Sequence, residues 1–204
     1  VGAEVMQHGD MWLNVASYSS EIGRAEEVVA KTDYDVVPLS ELCEDIWYPG
    51  RVSRAWMENP DEELGAPYLS PTDLMYFKPQ FRKREKPTES WVRLDYYDDP
   101  DEFFANVDDI LVTRSGKIGR IQMATESITE YFLTDDLIRV ETKDDTLEGY
   151  VYAYLDSWIG QAYIKQDEYG GWVDHIEPKT LENVPVIQLP EDEQQADRKS
   201  TRLN

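Results

Sequence analysis

A short segment near the middle of the chain combines a predicted strand with a turn rich in cations. Residues 110–113 (ILVT) are large apolar or β-branched residues, which favour a buried strand. Two aspartates precede this run, and a turn with two glycines and three cations follows it at residues 114–120 (RSGKIGR). Residues 110–125 contain no Asp or Glu, although the whole chain has 42 acidic residues against 20 Lys plus Arg. We therefore expect this turn to face an acidic partner.

The composition narrows the class of protein. A chain of 204 residues that is 41% hydrophobic and 12% aromatic suits one globular domain with a sizeable core and an appendage. It contains neither an apolar run of the roughly 18 residues that a membrane span needs nor a secretory leader, so a soluble, cytoplasmic protein is expected. Cys43 is the only cysteine, which excludes an intrachain disulfide and a thiolate metal cage and favours a small buried side chain there.

The spacing of apolar residues predicts helices around a set of short strands. Residues 12–31 have helical spacing and are expected to lead into the main domain, and residues 149–164 predict one helix of about four turns. Between and after them, Gly, Pro or Asp separates short β-favouring runs, which predicts an irregular, mainly antiparallel sheet. The strands are expected at residues 68–69, 75–77, 91–94, 110–113, 118–123, 131–133 and 137–140, with a last one inside 181–189.

Six segments of the chain carry a resemblance to a known family. In order, they are residues 37–42 (VPLSEL), 65–69 (GAPYL, followed by Asp73-Leu74), 109–119 (DILVTRSGKIG), 150–161 (YVYAYLDSWIGQ), 170–176 (GGWVDHI) and 181–190 (LENVPVIQLP). In this order they resemble the DNA specificity subunit of type I restriction-modification systems.

The resemblance implies an α+β target recognition domain, in which an irregular, mainly antiparallel sheet carries a packed helix between N- and C-terminal spacer-helix segments. We accordingly divide the chain into an N-terminal helical segment (1–34), the target recognition domain (35–190), and the start of a spacer helix or a foreign tail (191–204). A typical subunit of this family has two target recognition domains and two long spacer helices. This chain is therefore expected to be half of a subunit, either naturally or by truncation, and a second half-subunit is a candidate partner.

The resemblance also implies a non-catalytic function. Such a subunit binds double-stranded DNA and places a methyltransferase (M) subunit and a restriction (R) subunit on its target sequence. AdoMet and ATP belong to those partners, so no cofactor, metal or catalytic residue is expected in this chain.

Two cationic islands supply the candidate DNA contacts. Residues 78–93 carry six cations against two acids, and residues 114–120 add three cations. We assign base edges to Arg82 and Arg114, because a guanidinium can donate two hydrogen bonds to guanine. The phosphate contacts are assigned to Lys83, Arg84, Lys86, Lys117 and Arg120.

Three further residues complete the predicted interface. Ser115 lies in the cationic turn, and Trp172 follows two glycines in a turn from which it could press on a sugar or a base. Burial is the alternative for Trp172, as for the other tryptophans, which we expect mainly in the core. His175 either fixes a loop through a hydrogen bond or contacts DNA.

Two other classes of protein are weighed against DNA recognition. Asp136 with Glu141 and Lys143 has the spacing of a metal-dependent nuclease, but we expect this glutamate to leave the strand in a polar loop, and the two histidines lack metal-ligand spacing. The net charge of −22 suggests an acidic mimic of DNA that occupies a restriction enzyme. The two cationic islands and the six ordered segments oppose that alternative.

Overall fold

The computed structural model describes residues 20–77, 90–144, 146–166, 175–190 and 192–194. The helices of these ranges are α1 (Ser20–Lys31), α2 (Glu148–Asp156), α3 (Trp158–Ile164) and α4 (Pro178–Glu182), and residues 192–194 are also helical. The strands are β1 (Val36–Pro38), β2 (Cys43–Trp47), β3 (Trp56–Met57), β4 (Gly65–Leu69), β5 (Trp91–Arg93), β6 (Ile110–Thr113), β7 (Ile121–Met123), β8 (Phe132–Leu133), β9 (Leu137–Thr142) and β10 (Pro185–Ile187). Short 3-10 turns occur at Leu39–Leu42, Asp73–Phe77, Leu94–Tyr96 and Pro100–Phe103. The α+β class predicted from the sequence is confirmed.

The central sheet has the strand order β2-β9-β6-β7, and all its neighbours are antiparallel. On one face, Val112 and Ile138 belong to the same apolar cluster as Val151 of α2. On the other face, Leu111 packs in a second cluster with Leu69 of β4. Because both faces are covered, β6 is a continuous apolar run rather than an alternating one.

A second sheet has the order β3-β5-β4-β8. Its β3–β5 and β4–β5 pairs are antiparallel, but β4 and β8 run parallel, with Tyr68 opposite Phe132. The Phe132 ring stacks on Phe103, with 4.4 Å between the ring centroids. The prediction of a mainly antiparallel fold is therefore confirmed, with one parallel pair of distant segments among the described strands.

The remaining sheet joins the two ends of the predicted target recognition domain. β1 and β10 pair antiparallel, with Val36 opposite Ile187, and Gln188 N donates to Asp35 O at 2.7 Å. The predicted helix of residues 12–31 is confirmed from Ser20 to Lys31, while residues 12–19 lie outside the described ranges. None of the helices within those ranges is long and apolar enough to cross a membrane.

The single helix predicted over residues 149–164 is wrong, because the backbone breaks at Ser157. Ser157 has extended dihedrals (φ −69°, ψ 162°), and its Oγ accepts a hydrogen bond from Gly160 N at 3.3 Å. A serine that caps a new helix stops the preceding one, and the chain turns between α2 and α3. Gly160 lies against the end of α2, where an added Cβ would overlap Tyr154 O and lie 2.7 Å from Leu155 Cα.

Three other sequence predictions need correction. Residues 75–77 form part of a 3-10 turn instead of a strand, and this turn starts where Ser70 N and Ser70 Oγ donate to Asp73 Oδ2 at 3.0 and 2.6 Å. The strand predicted at 118–123 begins only at Ile121, because residues 118–120 complete a turn. Trp56 and Trp158 were expected in the core, but they are 53% and 49% exposed.

Candidate nucleic-acid interface

The turn after β6 is held in shape by its own backbone and by the last residue of the strand. Thr113 N donates to Arg120 O at 2.9 Å, and Gly119 N donates to Thr113 O at 3.0 Å. The buried Thr113 Oγ1 donates to Lys117 O at 2.5 Å and accepts from Arg120 N at 2.9 Å. We call residues 114–120 the β6–β7 loop. These contacts close it at both ends, so its tip is presented on a rigid base.

Glycine permits the close contact between this loop and α3. Gly119 has φ +76°, and an added Cβ would lie 3.0 Å from Ile164 Cγ2 and 3.3 Å from Gln161 Oε1. Gln161 Nε2 donates to Gly119 O at 2.8 Å and to Leu155 O at 2.9 Å. One amide thus joins the loop to the carboxyl end of α2, which gives Gln161 a positioning role that sequence reasoning did not assign.

Two other segments fix the opposite side of the β6–β7 loop. Arg114 N donates to Asp136 O at 2.7 Å, and Ser115 Oγ donates to Asp136 Oδ1 at 2.7 Å. Ser115 also forms an antiparallel bridge with His175, and Ile176 N donates to Arg114 O at 2.9 Å. The structure therefore brings the predicted residues Arg114, Ser115 and His175 together, although His175 is 60 residues from Ser115 in the chain.

The exposed tip of the loop borders a cleft of about 370 Å³. Lys117 is exposed and Arg120 is half-buried, and both line the cleft opposite Pro71 and Thr72. Among the described residues, no carboxylate pairs with either cation. Within the part of the chain that the structure describes, both cations therefore remain available to an anionic ligand, as their predicted role requires.

Arg114 occupies a different environment from the one its sequence neighbours indicate. Its side chain is only 5% exposed, its guanidinium carbon lies 4.2 Å from the Tyr48 ring centroid, and its Nη2 is 2.6 Å from Glu177 Oε1. His175 Nε2 lies 3.1 Å from the same Glu177 oxygen. The guanidinium is therefore buried, stacked on one ring and paired through Nη2, whereas its Nε and Nη1 have no hydrogen-bond partner among the described residues. Its acidic partner is 63 residues away in the chain, which is why inspection of the local sequence did not find it.

A further pair of cations was missed by the sequence analysis. Arg54 Nη2 lies 3.0 Å from Asp135 Oδ1, and the more exposed Arg51 lies 3.9 Å from the other oxygen of Asp135. Residues 46–57 contain no Asp or Glu, which is the same signal that marked residues 110–125. Applied consistently, that signal would have found these two arginines.

A buried charge cluster lies at the start of β6 and in the neighbouring strands. Arg139 of β9 is 2% exposed, and its guanidinium carbon lies 4.6 Å from the Trp47 ring centroid. Burial lowers the pKa of Arg139 to about 10, although the charges of Asp109 and Glu141 oppose this shift. Burial also raises the pKa of Asp109 to about 6, although the hydrogen bond from Asn106 N at 2.7 Å favours the carboxylate. Keeping Asp109 and Arg139 charged at neutral pH therefore costs free energy.

This cost predicts a pH effect for Asp109→Asn. The pKa of Asp109 is higher in the folded chain (about 6) than its ordinary 3.8, so the folded state binds the proton more tightly and this group's contribution to stability falls as pH rises through that interval. The amide cannot titrate. The free energy of unfolding of the variant, relative to wild type, should therefore rise by about 1 to 2 kcal/mol between pH 5 and pH 7.5.

Urea unfolding at several pH values measures this difference directly. Asp98→Asn is the control, because Asp98 is exposed and is not among the charges that act on Asp109. A larger rise with pH for Asp109→Asn than for the control supports the assignment. Parallel behaviour of the two variants would contradict it.

Among the residues that the structure describes, no metal centre supports the nuclease hypothesis. Glu141 lies on β9 rather than in a polar loop, contrary to expectation, and it accepts a hydrogen bond from Trp47 Nε1 at 2.7 Å. Asp136 is engaged by Ser115 and Arg54. Within the described ranges, no group of three His, Cys, Asp or Glu side chains could hold a metal ion.

Five predicted DNA contacts lie outside these ranges, namely Arg82, Lys83, Arg84, Lys86 and Trp172.

Comparison with solved structures identifies the fold. The crystal structure of the HsdS subunit from Thermoanaerobacter tengcongensis aligns with a TM-score of 0.54 at 16% identity, covering 98% of this chain and 46% of that one. A structure from work on complex assembly and conformational transition of the type I R-M system covers the same shares, with a TM-score of 0.51 at 15% identity. The type IIG restriction endonuclease BpuSI aligns with a TM-score of 0.58 at 11% identity, covering 92% of this chain and 28% of its own.

The chain therefore has the fold of type I specificity subunits, as the six sequence segments indicated, and spans about half the length (46%) of the two aligned type I chains. No protein-family model and no curated protein matches the sequence.

Proposed function

We propose that this chain recognises a specific sequence in double-stranded DNA, as one target recognition domain of a type I restriction-modification specificity subunit. The observation that carries the proposal is the β6–β7 loop, a rigid turn from an acid-free segment of an otherwise acidic chain. It presents Lys117 and Arg120, which have no carboxylate partner in the described part of the chain. The fold shared with type I specificity subunits supports it.

The two cations of the described interface are proposed to hold phosphates. Lys117 and Arg120 line one cleft on a loop fixed by Gln161 and Asp136, so they can set the position of a duplex backbone. Ser115 lines the same cleft and His175 forms a bridge with Ser115, and both are proposed to border the bound DNA. Outside the described ranges, Lys83, Arg84 and Lys86 are proposed to contact phosphates and Arg82 to read a base edge. Trp172 is proposed to contact a sugar or a base.

Arg114 is proposed to support the interface from beneath rather than to contact a base. Its stacking on Tyr48 and its pairing with Glu177 join the residue that follows β2, the β6–β7 loop and the segment before α4. Base reading then falls to residues that the cleft exposes and to the island around Arg82.

The chain is proposed to act without catalytic residues of its own and to direct partner methyltransferase and restriction subunits to the recognised site. Because it spans about half of its aligned type I structures, a second half-subunit is proposed to complete the bipartite recognition. Recognition of the target sequence, methylation and cleavage would then be carried out by separate polypeptides.

The alternative of an acidic DNA mimic retains one supporting observation, the net charge of −22. A mimic would bind a restriction enzyme and leave duplex DNA unbound. A gel-shift experiment with mixed duplexes separates the two hypotheses, because a mimic produces no shifted DNA at any salt concentration.

The proposed phosphate contact predicts a salt effect for Lys117→Ala. The variant should bind a random-sequence duplex more weakly, and its plot of log affinity against log salt should be shallower by about one unit, because one fewer counterion is released. Lys31→Ala is the control, since Lys31 is an exposed lysine on α1 that pairs with Glu27 and its loss changes the net charge equally. Equal slopes for Lys117→Ala and wild type would remove Lys117 from the interface.

A further inference from the structure

The turn of residues 134–136 connects the β6–β7 loop to a second group of cations, Arg51 and Arg54. Asp136 Oδ1 accepts the Ser115 hydroxyl of the β6–β7 loop at 2.7 Å, while Asp136 Oδ2 lies 3.6 Å from Arg54 Nη2. Arg54 Nη2 is closer to Asp135 Oδ1, at 3.0 Å, and also lies 3.0 Å from Thr134 Oγ1. This turn therefore fixes the proposed phosphate-binding loop and also pairs with Arg54, to which the proposed function assigns no contact.

The pairing at Asp135 is partly shielded from water. The Asp135 side chain is 8% exposed and that of Arg54 is 35% exposed, while Arg51 is 78% exposed at 3.9 Å. Charge pairs in such a site are screened less than pairs on an open surface. Two carboxylates offset two guanidiniums, so this surface adds no net positive charge.

The surroundings of Arg54 otherwise suit a nucleic acid. Its guanidinium carbon lies 5.5 Å from the Tyr68 ring centroid, and the ring of Trp56, which is 53% exposed, meets Tyr68 edge to face at 5.0 Å. Arginine beside an exposed aromatic ring can bind a phosphate while the ring contacts a sugar or a base. Asp135 and Asp136 are the groups that oppose such binding.

We propose that Asp135 and Asp136 act as an internal competitor for phosphate, which holds Arg54 back from random DNA and so sharpens sequence discrimination. This inference rests on the proposed function. A carboxylate accepts the same charge-assisted hydrogen bonds from a guanidinium as a phosphate does, so DNA must displace it. Random duplexes bind almost entirely through phosphate attraction, whereas a cognate duplex adds base contacts that offset the displacement.

The test removes each carboxylate charge while preserving its shape. Asp135→Asn and Asp136→Asn should each bind a random 20-base-pair duplex more tightly, by about three- to tenfold at low salt, with a salt slope steeper by about one unit per released guanidinium. The ratio of affinities for the duplex selected by wild type and the random duplex should fall. Thermal melting of both variants verifies that they are folded, and the more exposed Asp136 provides a second variant if Asp135→Asn unfolds.

Two controls separate this mechanism from a general charge effect. Glu21→Gln removes one acid from the exposed surface of α1 and should leave the random-duplex affinity almost unchanged. Adding Arg54→Ala to Asp135→Asn should abolish the gain, because the released arginine is then missing. A gain that survives without Arg54, or one that Glu21→Gln reproduces, overturns the proposal.

The outcomes also distinguish this inference from the proposed function. If wild type selects a sequence but the asparagine variants bind random DNA as wild type does, the competitor role fails and the recognition function stands. If the variants gain Arg54-dependent random binding while wild type selects no sequence, the competitor role stands and sequence recognition fails.

Discussion

Gly160→Ala is expected to lower the free energy of unfolding by about 3 kcal/mol, which is large for the addition of one methyl group. The new Cβ would overlap Tyr154 O and would lie 2.7 Å from Leu155 Cα and 2.9 Å from Leu155 O. All three atoms belong to the backbone, so no side chain can rotate to relieve the overlap. The change would force α2 and α3 apart, and Gln161 would then hold Gly119 less firmly.

The chain contains a matched control for this substitution. Gly23 lies in α1 with nothing within 4 Å of an added Cβ, so Gly23→Ala should stabilise the protein by up to about 1 kcal/mol through helix propensity. Chemical denaturation of both variants compares the same change in two helices. Equal effects of the two substitutions would show that Gly160 is not required for the close contact between α2 and α3.

Arg114→Ala is expected to lower the free energy of unfolding by about 2 to 3 kcal/mol. The substitution removes a buried guanidinium that stacks on Tyr48 at 4.2 Å and pairs with Glu177 at 2.6 Å. A desolvated cation–π contact contributes about 2 kcal/mol, and the lost packing adds to the cost. Glu177 is 48% exposed and regains water, which keeps the total below that of a fully buried ion pair.

Lys117→Ala is the comparison that separates support from contact. Because Lys117 is exposed at the tip of the same loop, its loss should change stability by no more than about 0.5 kcal/mol while weakening DNA binding. Arg114→Ala should instead lower the free energy of unfolding, and it should weaken DNA binding only to the extent that the loop loses its shape. An Arg114→Ala variant with wild-type stability and lost sequence selectivity would restore Arg114 to the base-contacting role predicted from the sequence.

Local sequence patterns correctly predicted the structural elements that depend only on residues close together in the chain. Residues 110–113 were identified as a buried strand because four apolar or β-branched residues stand between turn signals. The acid-free segment around them predicted DNA contacts at Arg114, Lys117 and Arg120. The structure places exposed Lys117 and half-buried Arg120 beside one cleft, but it buries Arg114.

Local patterns failed where a distant residue or a single hydrogen bond decided the outcome. The apolar spacing of residues 149–164 continues through Ser157, but the hydroxyl of that serine caps a new helix there. The β-favouring residues 75–77 form a 3-10 turn because Asp73 accepts from Ser70 upstream. The parallel pairing of β4 with β8 joins residues more than 60 positions apart, so no turn signal between them could reveal it.

Charge assignments failed for a related reason. A count along the chain treats Arg114 as unpaired, since its acidic partner Glu177 follows only 63 residues later. The same count misses that Arg54 is held by Asp135, 81 residues away. In a chain with 42 acids, the environment of each cation depends on the fold more than on its sequence neighbours.

The most direct test of sequence recognition is selection by the chain from a library of random duplexes. Bound DNA would be recovered over several rounds at fixed low salt and sequenced, with Lys117→Ala selected in parallel. We expect one short motif to be enriched by wild type, and the same motif to be enriched more weakly by Lys117→Ala, because a phosphate contact changes affinity without changing the bases that are read. A recovered pool with the base composition of the starting library, or no recovered DNA at all, would contradict the assignment of this chain as a sequence-specific DNA-binding domain.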